Sequence, residues 1–269
     1  MKKFLWIILS VVLVAVIYAC SSVALTGRKQ VLLYSNSDIM ALSEESYKEF
    51  AQTAKASTNT ALTQRVRVVC SKLINAMNNY FISAGQENPM QGLNWHIDLV
   101  QSDEINAFCL PSGNIVVYEG LAKFVDNDDQ LAAVVGHEIA HAIANHSNER
   151  MSRATLSESI QRTILTAAQA SGRVTDSQLA VFNTALGLGS QYGVILPFSR
   201  KQELEADRIG LIMMAIAGYK VEEAPKLWVK MAENGSAAPP EFMSTHPSDV
   251  NRINNLNKYM EEAKAYASK

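Results

Sequence analysis

The sequence predicts an α+β fold that is mainly helical, because apolar residues recur at three-and-four spacing along most of the chain while strand-like runs are confined to 95–118. The balance of residues supports a folded body. With 48% apolar content and a net charge of -2 from 24 basic and 26 acidic residues, the 269-residue chain can bury one core with appendages. The same balance gives no broad positive field, which excludes nucleic acid as a partner class.

At the start of the chain, Lys2 and Lys3 precede an unbroken apolar stretch from Phe4 to Ala19, the pattern of a secretory signal or a membrane anchor. Its end, Ala19-Cys20-Ser21, resembles a lipoprotein signal-peptidase site. On that reading 1–19 is a lipoprotein signal peptide, Cys20 is the lipidation site, and the acyl chains hold the protein to a membrane. The alternative is an uncleaved anchor helix with a chance cysteine at its end. Ser21 in place of an aspartate points to the periplasmic face of the outer membrane as the expected location. Cys70 and Cys109 are then too few for a disulfide framework, and two buried free thiols are expected.

Residues 20–36 read as a tether with a short extended segment, and 37–269 as the working domain. Two amphipathic helices are expected near 38–56 and 61–84, the second with Leu62, Val66, Val69, Leu73 and Met77 on one face. Strands follow at 95–100, 107–110 and 115–118, with a hairpin turn at Pro111-Ser112-Gly113-Asn114. Asn127 and Gln130 resemble a capping box opening the helix that carries His137. Helices near 154–171 and 176–194 come next. Pro197 then breaks the pattern, and Ser199 with Gln202 caps a helix that ends at Gly218. A helix near 221–234, a Pro-containing loop over 236–247 and a charged helix complete the chain. The uncharged stretch 179–198 is long enough to span a bilayer, but its polar residues and glycines favour a covering or lipid-dipping helix.

The chemistry concentrates in His137-Glu138-Ile139-Ala140-His141. Two imidazoles one helical turn apart face the same way and can grip one metal ion, and Glu138 stands beside them as a candidate catalytic base. The flanks Leu131–Gly136 and Ala140–Ile143 make this a buried apolar helix, where unpaired histidines would be costly to desolvate. A single Zn2+ ion removes that cost; a metal-free histidine–carboxylate network is the competing reading. The candidate third ligand is Glu203. Asp207, one turn further on, is placed to accept the free ring N–H of a ligating histidine, or else to pair at the surface with Arg200 or Arg208.

Together with Thr26-Gly27-Arg28-Lys29-Gln30, Asn106-Ala107-Phe108-Cys109-Leu110-Pro111, Glu203-x-x-Ala206-Asp207 and Thr245-His246-Pro247 followed by Arg252, these residues resemble the HtpX-like and BepA-like zinc metallopeptidases of peptidase family M48. The resemblance implies a gluzincin-type fold with a small β-sheet bordering the active-site cleft. In it, the strand at Asn106, Ala107 and Phe108 pairs with an extended substrate. It also implies that His246 can fill the fourth metal position and hold the enzyme latent, and that Arg252 lies near the cleft, either on the substrate or in a structural ion pair. The expected function is a zinc-dependent endopeptidase of the cell envelope acting on misfolded or misassembled polypeptides, with outer-membrane assembly machinery as a candidate partner. The alternative is a chaperone-like assembly factor with little proteolysis.

Overall fold

The computed structural model describes residues 20–170, 199–234, 242, 246 and 250–267. The apolar stretch 4–19, the predicted helix near 176–194 and the uncharged stretch 179–198 lie outside the described residues. Among the described residues no helix is long and apolar enough to cross a membrane.

The chain divides into two compact units. The first takes in 1–22, 28–35 and 147–196, and the second 23–27, 36–146 and 197–269. In the first unit, β1 (Cys20–Ser22) pairs antiparallel with β2 (Lys29–Val31), so the segment expected to be a tether contains a two-stranded ribbon. Most of α5 (His146–Ala170) belongs to this unit. Arg28 binds Glu149 through two contacts of 2.8 Å, and Ser152 Oγ accepts the Leu33 N–H at 2.8 Å. α5 starts well before the expected 154, because Asn145, at φ 55°, ends the preceding helix and the chain turns directly into the next.

The second unit holds the core. It is built from α1 (Asn36–Thr53), α2 (Thr60–Ser83), β3 (His96–Val100), β4 (Ala107–Cys109), β5 (Asn114–Tyr118), α3 (Glu119–Phe124) and α4 (Asp128–Ile143), followed by α6 (Arg200–Ile216), α7 (Glu223–Asn234) and α8 (Val250–Tyr266). The predicted face of α2 is the buried one: Val66, Val69, Leu73 and Met77 are joined by Cys70, Ile74 and Phe81. Asn59 caps this helix, its side chain accepting the Leu62 N–H. Cys70 and Cys109 are free thiols, and burial pushes the Cys70 thiol up to about 12.

The three-stranded sheet has the order β3-β5-β4, with β3 and β5 parallel and β4 and β5 antiparallel. The β4–β5 hairpin closes through the predicted turn, where Leu110 N–H donates to Asn114 O at 2.9 Å. β4 is therefore an edge strand. α4 is buried from Gln130 to Ile143, packed by α2, α6, α7 and β4. Asn127 accepts the Gln130 N–H as a cap, but the Gln130 side-chain Oε1 takes the N–H of Asp126, one residue before the box position. The Ser199–Gln202 box at the start of α6 is complete.

α4 and α6 cross backbone to backbone at a pair of glycines. A Cβ on Gly210 would lie 3.1 Å from the His137 amide nitrogen, and one on Gly136 would lie 3.3 Å from the Gly210 carbonyl oxygen. A side chain at either position would force the helices apart.

Candidate metal centre

α4 presents His137 and His141 from successive turns, and α6 brings Glu203 against them across the glycine crossing. The Nε2 atoms of the two histidines are 3.1 Å apart. Glu203 lies 3.3 Å from each, through Oε2 to His137 and Oε1 to His141. His246 closes the group, its Nδ1 standing 3.2 Å from His137 Nε2 and 3.1 Å from Glu203 Oε1. All four side chains are buried. Glu138 Oε1 is 3.5 Å from His246 Nε2.

The protonation pattern of this cluster calls for a cation. His137 Nδ1 is 2.9 Å from Asp207 Oδ1, and Arg252 grips Asp207 with contacts of 2.6 and 2.9 Å. An ionised carboxylate only accepts, so a neutral His137 ring carries its proton on Nδ1 and directs its Nε2 lone pair toward Glu203. Buried Glu203 Oε2 accepts no hydrogen bond, although Arg252 Nη1 lies 3.1 Å away; buried Glu138 Oε1 accepts none either. Facing lone pairs at such distances repel unless a proton or a metal cation lies between them. Four ligand atoms around zinc at 2.0–2.1 Å would stand about 3.3 Å apart. Spacings of 3.1–3.3 Å recur among these atoms, and the four groups lie within 4.8 Å of one another, close enough to share one ion.

Electrostatics divide the titrating groups. Burial raises Glu138 to about 7, with Glu203 adding to the rise and His246 and Arg252 opposing it. Burial holds the His141 ring well below its ordinary range, so it is neutral. Burial and Arg252 also oppose charge on His137, but Asp207 and Glu203 outweigh them and leave its pKa raised. Burial works against ionised Glu203 and Asp207; nearby histidines hold the first low, and Arg252 with His137 the second.

The structure thus gathers His137, Glu138, His141, Glu203, His246, Asp207 and Arg252. Arg208, one of the surface partners weighed for Asp207, instead pairs with Glu262 at 2.6 Å. Arg252 is buried, with its guanidinium 3.8 Å from the Trp228 ring centroid and Nη1 donating to the His246 carbonyl at 3.3 Å. It thus reaches the carboxylates of the site and, through Nη2, His137 Nδ1 at 3.2 Å. Ala107 is buried in β4, Asn106 is half-buried, and half-buried Phe108 packs on Phe50 and Tyr118. The Cys109 N–H of this strand reaches Glu138.

Four residues escaped the sequence reading. Phe242 stacks on the His246 ring at 4.6 Å, and Trp228 packs on Phe242. His146 and Glu205 stand behind His141. Of these, His146 is a third histidine five residues beyond His141, a spacing that does not by itself set its direction.

A buried centre of two histidines and a glutamate, with a second glutamate beside it on a helix–helix crossing, defines the metal-dependent hydrolase class. The profile of Peptidase family M48 matches residues 71–260, and the chain belongs to that family. Metalloendopeptidase OMA1, mitochondrial, of Bos taurus is 34% identical over 244 residues, covering 88% of this chain and 45% of that protein. The protein of the same name from Homo sapiens is 31% identical, covering 89% of this chain and 45% of its own length. The β-barrel assembly-enhancing protease of Escherichia coli K12 is 32% identical over 169 residues, covering 59% of this chain and 33% of that protein. The chain spans one third to one half of the length of these relatives.

These relatives overturn one expectation. The sequence pointed to a lipoprotein on the periplasmic face of the outer membrane, whereas the relatives that cover most of the chain are named as mitochondrial enzymes. The physical reason is that a basic start, an apolar run and a terminal cysteine describe how a segment meets a membrane without specifying which membrane it is.

Proposed function

We propose that the chain is a zinc-dependent endopeptidase cutting unfolded or misassembled proteins, with His137, His141 and Glu203 holding one Zn2+ ion and Glu138 as the base. The observation that carries this is the convergence of His137 Nε2, His141 Nε2 and the Glu203 carboxylate at 3.1–3.3 Å, beside the unbonded Glu138 Oε1. Zinc bound there supplies a Lewis acid that polarises the scissile carbonyl and makes a neighbouring water acidic enough to attack near neutral pH.

The chain's own residues do the rest. Glu138 takes the proton of the attacking water and passes it to the leaving amine, a task suited to a carboxyl that burial has moved to about 7. Asp207, backed by Arg252, holds the proton of His137 on Nδ1 and so keeps Nε2 available. The open edge of β4 receives an extended substrate through main-chain hydrogen bonds, giving loose sequence preference. His246 occupies the fourth position of the cluster and keeps the resting protein latent.

The test is Glu138→Gln in the purified full chain, with hydrolysis of an unfolded protein measured alongside zinc content by elemental analysis. Loss of hydrolysis with zinc retained is expected. Wild-type hydrolysis by the variant would overturn the assignment. Full biological function without hydrolysis would favour the chaperone-like alternative.

A further inference from the structure

We propose that His146, Glu205 and Thr26 form a relay of positioning residues that fixes His141 as a zinc ligand. The inference rests on the metal-centre reading above and concerns residues that touch no candidate ligand atom directly. His146 is wholly buried, its Nδ1 lying 2.9 Å from His141 Nδ1 and its Nε2 3.0 Å from Glu205 Oε2. Glu205, 7% exposed, accepts the Thr26 hydroxyl at 2.5 Å through its other oxygen.

The chemistry of the chain of contacts runs one way. The Glu205 carboxylate only accepts, so the proton of a neutral His146 ring sits on Nε2 and its Nδ1 keeps a lone pair. His141 must then donate from Nδ1. That leaves its Nε2 lone pair directed at the cluster, 3.1 Å from His137 Nε2 and 3.3 Å from Glu203 Oε1. The tautomer that can bind a metal is thereby selected from the far side of the ring.

Backbone geometry holds each member in place. Asn145, at φ 55°, turns the chain after α4 so that His146 follows at once, and Gln202 donates to the His146 carbonyl at 3.2 Å. Thr26 sits in a tight turn closed by Gly27 N–H to Val23 O at 2.9 Å, with Leu25 and Gly27 both at positive φ. This gives the Thr26-Gly27 motif a function within the site. The two ligand histidines are oriented by different means: His137 by a carboxylate clamped to a buried guanidinium, and His141 by an imidazole, a carboxylate and a hydroxyl.

The experiment measures zinc affinity of the full chain by competition with a chromophoric chelator, together with the melting temperature of each metal-free protein. His146→Leu should weaken zinc binding roughly ten- to a hundredfold. His146→Asn should recover part of the loss, because its amide oxygen can accept from His141 Nδ1. Glu205→Gln and Thr26→Val should each give a smaller loss with metal-free melting unchanged, which a merely structural role would not produce. Wild-type zinc affinity in both of these mild variants would overturn the relay, whether or not His146→Leu folds. A wild-type chain that binds no zinc would overturn the metal-centre reading itself, an outcome distinct from the failure of the relay.

Discussion

His246 lies among the candidate ligands with its ring flat against Phe242 and its carbonyl accepting from Arg252. Replacing it by alanine vacates the fourth position. His246→Ala should therefore raise hydrolysis of an unfolded protein severalfold, measured as initial rate at equal zinc content. Arg252 presents the opposite case, a buried cation facing Asp207 and Glu203. Removing one member of a buried charge network strands the others, and Arg252→Met should cost about 3–5 kcal/mol in urea unfolding. At this scale the sequence was informative where spacing alone carries chemistry. His137 and His141 share a helix face, and Glu203 with Asp207 repeats that one-turn spacing on a second helix. His146 was not legible, because the helix breaks at Asn145 and a spacing of five residues then says nothing about direction. Glu205, two positions from Glu203, points off the face that the pattern drew attention to, and Phe242 stands in a stretch of sequence without apolar periodicity.

Helix termini and crossings set where the ligands stand. Glu223 at the start of α7 accepts from Asn127 and Gln130 at the start of α4, tying the two helix ends together. The Lys226 ammonium, followed by these two amides, lowers its carboxyl to about 2. A depressed folded pKa contributes stability above the unfolded value of about 4.3, and loses it as pH falls toward the folded value. Glu223→Gln should accordingly melt below wild type at pH 7, by an amount limited by solvent screening, with the gap closing between about pH 4 and 2. At the glycine crossing, Gly210→Ala places a methyl group 3.1 Å from the His137 amide nitrogen, against backbone that cannot yield. A loss of about 1–3 kcal/mol is expected in denaturant unfolding, with a fall in zinc affinity. The elements themselves were largely legible: Asn127 and Ser199 announced helix starts, and short apolar runs bounded by turn residues announced the strands. The order β3-β5-β4, with its parallel pair, was not. Local alternation says that a segment is a strand but is silent on its neighbour, and the β3–β5 pairing joins segments separated by a whole intervening strand.

Across the whole molecule, the core of the second unit is organised around α4, a helix without a solvent face from Gln130 onward. A helix hydrophobic all round is legible as buried, but its sequence does not say what surrounds it. Metal binding at such a place is coupled to folding. Stripping the ion with a chelator should lower the melting temperature, and restoring zinc at about a thousand times its dissociation constant should return about 4 kcal/mol of stability. A melting temperature indifferent to both treatments would count against a resident ion. The glycine contact has one more implication, for ion selectivity. Because main chain rests on main chain where α4 meets α6, the gap between the imidazole pair and the carboxylate is gauged by the backbones rather than by pliable side chains. Such a calliper would suit an ion bonding at about 2.0–2.1 Å, and calcium, seeking six or more oxygens at about 2.3–2.6 Å, would be refused by size as well as by donor type.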